Sequence, residues 1–253
     1  MQSLRRVFRH SFSAYDITEL LISCQRNADA VSTRSFMEAR KLDVAGVLHE
    51  GHVIGYVHRD ELVQGVCGDH LNQFGPSQVI SDDTTLAEII LCLDRYPRLF
   101  VSVFGGIGGI LTRTDLQKPP VRMWLFGMIT LIEMQMTRRI EDGIPERQWR
   151  RSLSEGRLKK AEDLEAERAR RHQPVRLIDC LQFSDKSQIV AQSEELRSVM
   201  RFQSKKQFEK TLKQIESLRD NLAHSQEFVS SDWQALVTLA NYLDDLIDDP
   251  RPE

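Results

Sequence analysis

Two patterns of apolar and polar positions divide the chain. Between about residues 29 and 118, short β-branched and aromatic runs alternate with short amphipathic ones. Residues 44–48, 53–57, 99–104 and 107–112 are predicted strands, bounded by glycines at 51, 75, 105, 106, 108 and 109. The glycine-rich run 105–109 reads as a tight turn between paired strands, because the Lys-Ser/Thr that a phosphate loop requires does not follow it. After Pro119 and Pro120 the apolar spacing becomes helical, with Pro145 and Pro174 as stops. A first helix is predicted over about 121–141. Asp185 with Gln188 and Ser204 with Gln207 have capping-box spacing and predict two further starts. A last helix opens after Ser231 or Asp232 and sets Trp233, Leu236, Ala240, Leu243 and Ile247 on one face. The expected fold class is an α+β half, residues 1–118, followed by an all-α antiparallel bundle of about four or five helices in 119–253.

Composition narrows the function. With 41% hydrophobic and 28% charged residues, the 253-residue chain falls in the globular range and outside wholesale disorder. Its 34 basic and 37 acidic side chains leave a net charge of -3, so any nucleic-acid site has to be local. Cys24, Cys67, Cys92 and Cys180 form no C-x-x-C pair, which argues against a disulfide framework or zinc knuckle and fits a reducing, cytoplasmic setting. The apolar stretch 123–134 is broken by Gly127, Thr130 and Glu133 and falls short of the ~20 residues that cross a bilayer, so no membrane partner is expected. The opening, with Arg5, Arg6 and Arg9, reads as an ordinary amphipathic start rather than a transit peptide. The mixed-charge segment 146–176 reads as a solvated helix face, with an RNA-contacting arm as the alternative.

The first half repeats itself. Residues 44–62 and 100–116 both run strand, glycine turn, strand and polar helix start, about 54 residues apart, as expected of two pseudo-symmetric units. Gly109-Ile-Leu-Thr-Arg-Thr-Asp-Leu116, with Val79-Ile-Ser-Asp-Asp-Thr-Thr-Leu86 upstream, resembles a cystathionine-β-synthase (CBS) domain, and the tandem resembles a Bateman module. The resemblance implies a regulatory adenine nucleotide (AMP, ADP or ATP) in the cleft between the units. Thr112 and Asp115 would hold its ribose and phosphate, within the motif that begins at Gly109, with the backbone around Ile80 near the base. A Thr at a helix start offers a hydroxyl beside free N–H groups, and Asp is an acceptor-only partner for sugar hydroxyls. The first unit departs from the pattern, with His58 in place of the Thr and Glu61 in place of the Asp.

The second half carries Glu216-Ser-Leu-Arg-Asp-Asn-Leu-Ala-His224, in which Arg219-Asp220-x-x-x-His224 resembles the R-x(4–6)-H motif of HEPN domains. The resemblance covers about residues 119–248 and implies a helical bundle. Many such domains are metal-independent endoribonucleases that act as dimers, and others are inactive or assist nucleotidyltransferases. The residues suit that chemistry. Asp220 and His224 are four apart on a helix, so the carboxylate can orient the imidazole, and His224 can exchange the proton of an RNA 2′-hydroxyl. Arg219 suits a phosphorane-like transition state. Residues five apart point about 140° away from each other, so a composite site needs two copies. Glu133, costly to bury unpaired, is expected to pair with Arg219 or His224, or else with Arg138, Arg139 or another cation. The function implied is a homodimeric hydrolase, an endoribonuclease needing no metal or cofactor and gated by adenine nucleotide. The alternative is a non-enzymatic nucleotide-sensing adaptor that binds RNA or a partner without cleaving it.

Overall fold

The computed structural model describes residues 11–224 and 227–247, and side chains as far as 242. The arginines at 5, 6 and 9 and the side chains of Leu243 and Ile247 lie outside the described residues. Two compact units divide between Val121 and Arg122.

The first unit is built from one motif used twice. Strand β2 (Ser23–Gln25), helix α1 (Ala30–Ala39), β3 (Val44–His49) and β4 (His52–His58) form the first copy. Strand β5 (Val79–Ser81), α2 (Leu86–Arg95), β6 (Arg98–Val103) and β7 (Gly106–Thr112) form the second. In each, a short strand lies parallel to the first arm of an antiparallel hairpin. The hairpins start at residues 44 and 98, 54 apart, and the agreement extends to detail. Both have a register shift at the same place, Val47/Leu48 and Val101/Ser102. Both second arms show the same alternation of exposed and buried positions. Both turns place two residues at positive φ, Glu50 at 49° with Gly51 at 82° and Phe104 at 51° with Gly105 at 81°, the backbone that two-residue hairpins of type I′ require. The glycine run is thus turn only at Gly105, and Gly106 to Gly109 belong to β7. Phe104, expected in a strand, sits fully exposed in the turn.

Neither copy is complete in its own hairpin. A segment preceding the first copy pairs with the second: the Ala14 and Tyr15 N–H groups donate to Thr84 and Asp82 carbonyls at 2.9 Å, and β1 (Glu19–Leu20) lies antiparallel to β7. The loop after the first copy does the equivalent job there. Cys67 and Gly68 donate to Ala28 and Arg26 at 2.9 and 2.8 Å, and Tyr56 and Asn72 exchange backbone bonds at 3.0 and 2.8 Å. The sheets are therefore β2-β3-β4 and β1-β7-β6-β5. Lys118 fastens the end of the second copy to the inserted segment, donating to the Ile17 carbonyl at 2.6 Å and pairing with Glu19. The core of the first copy contains Met37, Val47, Val57, Leu62 and Cys67, with Cys24 packed against it. Burial, reinforced by the neighbouring Cys67 thiol, pushes the Cys24 thiol up to about 12. All four cysteines are free thiols.

Helix α3 (Pro119–Gly143) begins on the prolines instead of after them, which a first turn allows because its N–H groups have no intrahelical acceptor. The second unit continues with α4 (Glu146–Trp149), α5 (Glu155–Arg170), α6 (Phe183–Gln192), α7 (Glu194–Val199), α8 (Lys205–Ala223) and α9 (Trp233–Ile247). That makes seven helices in this unit among the described residues, against the four or five expected, because the short helices α4 and α7 stand apart from the longer ones that follow or precede them. Helix α5 buries only Ala161, the solvated face expected of its charge mixture. Ser204 caps α8 by accepting from the Gln207 N–H at 3.1 Å. Asp185 does not cap α6. It is the acid of a box capped at Gln182, whose N–H it accepts at 3.1 Å. Helix α6 packs on α8 and α8 on α9.

The equivalent glycines Gly55 and Gly109 are where each inserted segment passes closest. A Cβ at Gly55 would meet the Asn72 carbonyl oxygen and one at Gly109 the Thr18 methyl, both inside van der Waals contact. Gly55→Ala and Gly109→Ala are each expected to cost about 1–3 kcal/mol in urea unfolding. The Gly55 loss should be larger, since backbone yields less than a side chain; equal or reversed losses would contradict this packing.

Candidate functional site

In the second copy, β7 runs into a 3-10 turn, Arg113–Gln117, with Thr112 in extended conformation as its cap. The Thr112 N–H donates to Asp115 Oδ2 at 2.8 Å and its hydroxyl to the same oxygen at 3.0 Å. The other carboxylate oxygen takes the Lys118 ammonium at 2.9 Å. The side chain of Asp115 is only 11% exposed. The N–H of Thr112, expected to be free for a phosphate, is therefore committed to Asp115. What remains open is the lone-pair capacity of the Thr112 hydroxyl and one further acceptor position on Asp115. Ile80 lies half-buried in β5 opposite Val101. Gly109 is buried beneath Thr18, so its part is to admit the inserted segment rather than to face a ligand.

The first copy has a different arrangement at the same positions. Glu61 accepts from Asn72 Nδ2 at 2.8 Å, and His58 makes no capping bond. Instead His58 Nδ1 lies 3.2 Å from Arg98 Nη1. Strands β4 and β7 pack together, so the two copies meet here. Tyr56 lies 5.4 Å from the His58 ring and 4.8 Å from Phe100, and Phe74 lies 4.7 Å from Phe100. Arg98 was missed by motif reading. Its signal was a single charge opening an otherwise apolar strand.

In the second unit, Arg219 lies on α8 with Asp220 Oδ1 at 3.2 Å and the Phe183 ring 5.7 Å below its guanidinium. Asp220 is thus paired with Arg219 and does not orient His224. His224 is the exposed C-cap residue of α8, and its imidazole has no partner among the described residues. Glu133 pairs with neither motif residue. Lys186 reaches it at 2.9 Å, the other cation the sequence left open. This pair lies in a cleft of about 430 Å³ also lined by Thr137, Arg138, Glu141 and Arg176. Arg176 donates to both oxygens of Asp179 at 2.7 and 2.9 Å and holds that carboxyl below its usual range. That contribution to stability is present above the ordinary carboxylate pKa and fades as pH falls through the lowered value.

Among the described residues, no group of three or more His, Cys, Asp or Glu is arranged to hold a metal, and no helix is long and apolar enough to cross a membrane. The Lys186 side chain is 6% exposed and that of Glu133 30%, so the two ends of the pair are unequal. Removing the acid in Glu133→Ala strands a buried ammonium and is expected to cost roughly 3 kcal/mol or more. Lys186→Met leaves a carboxylate that reaches water and is expected to cost less, with urea unfolding of both variants as the check.

No protein-family model matches the chain, and no curated protein does. Solved structures resemble part of it. CBSX2 in complex with AMP is 19% identical over 42% of this chain and 93% of that one, with a TM-score of 0.37. The CBS-pair protein CBSX2 from Arabidopsis thaliana is 18% identical over 42% and 91%, also at 0.37. An uncharacterized conserved protein from Pyrococcus horikoshii is 14% identical over 42% and 90%, at 0.38. Likeness at this level says nothing about ligand or activity.

Proposed function

We propose that the first unit is a CBS pair of the Bateman type that senses an adenine nucleotide, and that the second is a HEPN-like antiparallel bundle through which the signal acts. The observation that carries this is the reproduction of one β-α-β-β motif at a constant 54-residue spacing in its hairpins. Strands β4 and β7, which end at His58 and Thr112, pack together, in support of this reading. In this reading the Thr112 hydroxyl turns from Asp115 toward a phosphate. Asp115 uses its remaining acceptor capacity on a ribose hydroxyl, and the backbone at Ile80 flanks the base. A ligand favouring one arrangement 100-fold shifts its equilibrium by about 2.7 kcal/mol, enough to act as a switch. Calorimetric titration of the full chain with AMP, ADP and ATP tests it. Binding that weakens by about tenfold in Thr112→Val is expected, the worth of one hydrogen bond to a charged group. Absence of binding by all three nucleotides would overturn the reading.

A second reading concerns what the bundle does. The exposed imidazole of His224, without a partner among the described residues, and the 32%-exposed Arg219 on the helix that it caps favour a metal-independent endoribonuclease. Their angular separation calls for a homodimer that pools two copies of each residue. Labelled RNA incubated with the protein in EDTA should then be cut to 2′,3′-cyclic phosphate ends, with cutting lost in Arg219→Ala and His224→Ala. Intact RNA under every nucleotide, with an oligomeric state that follows the nucleotide, would leave the non-enzymatic adaptor.

A further inference from the structure

The two hairpins share their register, and a difference in side chains stands where the copies meet. In the first hairpin Val44 faces His58 across the strands, and in the second Arg98 faces Thr112. Directly opposed residues in an antiparallel pair project from one face of the sheet, so the Arg98 side chain leaves β6 beside Thr112. Its guanidinium also reaches His58, the first copy's counterpart of Thr112, at 3.2 Å. A guanidinium can only donate, so His58 Nδ1 is the acceptor and the ring proton sits on Nε2. The neighbouring acids are already engaged. Asp43 and Asp60 pair with Arg59, Glu61 accepts from Asn72, and Asp115 is held by Lys118 and Thr112. Among the described residues Arg98 makes no ion pair, and its side-chain partner is a neutral imidazole. A half-buried cation without a counter-charge, steadied by a neutral ring beside a hydroxyl, is suited to a phosphate and poorly suited to an uncharged ligand.

We propose that Arg98 is the phosphate-selecting residue of the pair, and that its contact with His58 occupies the first copy's counterpart of the site. Each chain then takes one nucleoside phosphate and discriminates against the nucleoside. This rests on reading the first unit as a nucleotide-binding pair. It goes further in naming the residue that reads the ligand's charge and the one that limits its number.

Calorimetry on the full chain with AMP and with adenosine as probes tests it, circular dichroism confirming that each variant folds. The wild-type chain is expected to bind one AMP, at least about tenfold more tightly than adenosine. Arg98→Met should abolish that preference by weakening AMP alone, and Arg98→Lys should keep part of it. His58→Thr should free the first position and raise the stoichiometry toward two. Two AMP per wild-type chain, an AMP-to-adenosine ratio unchanged in folded Arg98→Met, or a stoichiometry still at one in His58→Thr would each overturn the inference while leaving the nucleotide-binding reading intact. A wild-type chain that binds no adenine nucleotide overturns both, and that failure is recognised before any variant is made.

Discussion

The outer edge of β7 carries backbone groups that its own hairpin cannot satisfy, and residues 19–21, from the segment that precedes the first copy in sequence, supply their partners. An unpaired edge costs free energy wherever water is excluded and invites other strands where it is not. The inserted segment removes that cost, and several side chains of the candidate site follow from it. Gly109 must lack a Cβ because Thr18 passes against it. Lys118 finds the Ile17 carbonyl and Glu19 there, and it carries Asp115 with it through the 2.9 Å ion pair. The Thr112–Asp115 geometry therefore depends on a segment about 100 residues earlier, far from the local motif that made it visible.

That dependence explains what could be read from sequence. The hairpins were legible to within one or two residues because their alternation is strong and the glycine turns bracket them. Thr112, Asp115, His58 and Glu61 were picked out through the family resemblance, and the structure sets them at equivalent places after β7 and β4. Strand β1 was not, since Glu19 and Leu20 are both exposed and two residues carry no period. The glycine run misled for a related reason. Glycine marks turns and close backbone approaches alike, and only the passage of Thr18 separates the turn at Gly105 from the close approach at Gly109. In the second unit the helical period was plain, but the partner of Glu133 was not. Lys186 lies 53 residues away, and nothing in the local pattern separates it from the other cations.

Electrostatic pairing sorts the charged side chains into structural and available ones. Arg59, Lys118, Arg157, Arg176 and Lys186 each face at least one carboxylate. Among the described residues, Arg98 has His58 as its side-chain partner and no carboxylate, and His224 has no side-chain partner. A cation already matched to an acid offers a ligand little, because binding has to break the existing pair. An unmatched donor gains the full charge-assisted bond. By this criterion Arg98 is a better candidate donor for an anion than Thr112 and Asp115, which are already bonded to each other.

The same bonding bears on how the proposed site would answer a ligand. Asp115 has one carboxylate to share among the Thr112 N–H, the Thr112 hydroxyl, Lys118 and any ligand hydroxyl. If the Thr112 hydroxyl turns to a phosphate, Asp115 loses one donor, and its remaining lone pairs redistribute toward Lys118 and the sugar. Lys118 immediately precedes Pro119, the first residue of α3. The Lys118 ammonium thus stands one residue from the start of the longest helix among the described residues. The Glu19 and Ile17 contacts of the same ammonium tie the Asp115 ion pair back to the inserted segment, so a single side chain links the Thr112–Asp115 cap to the sheet edge.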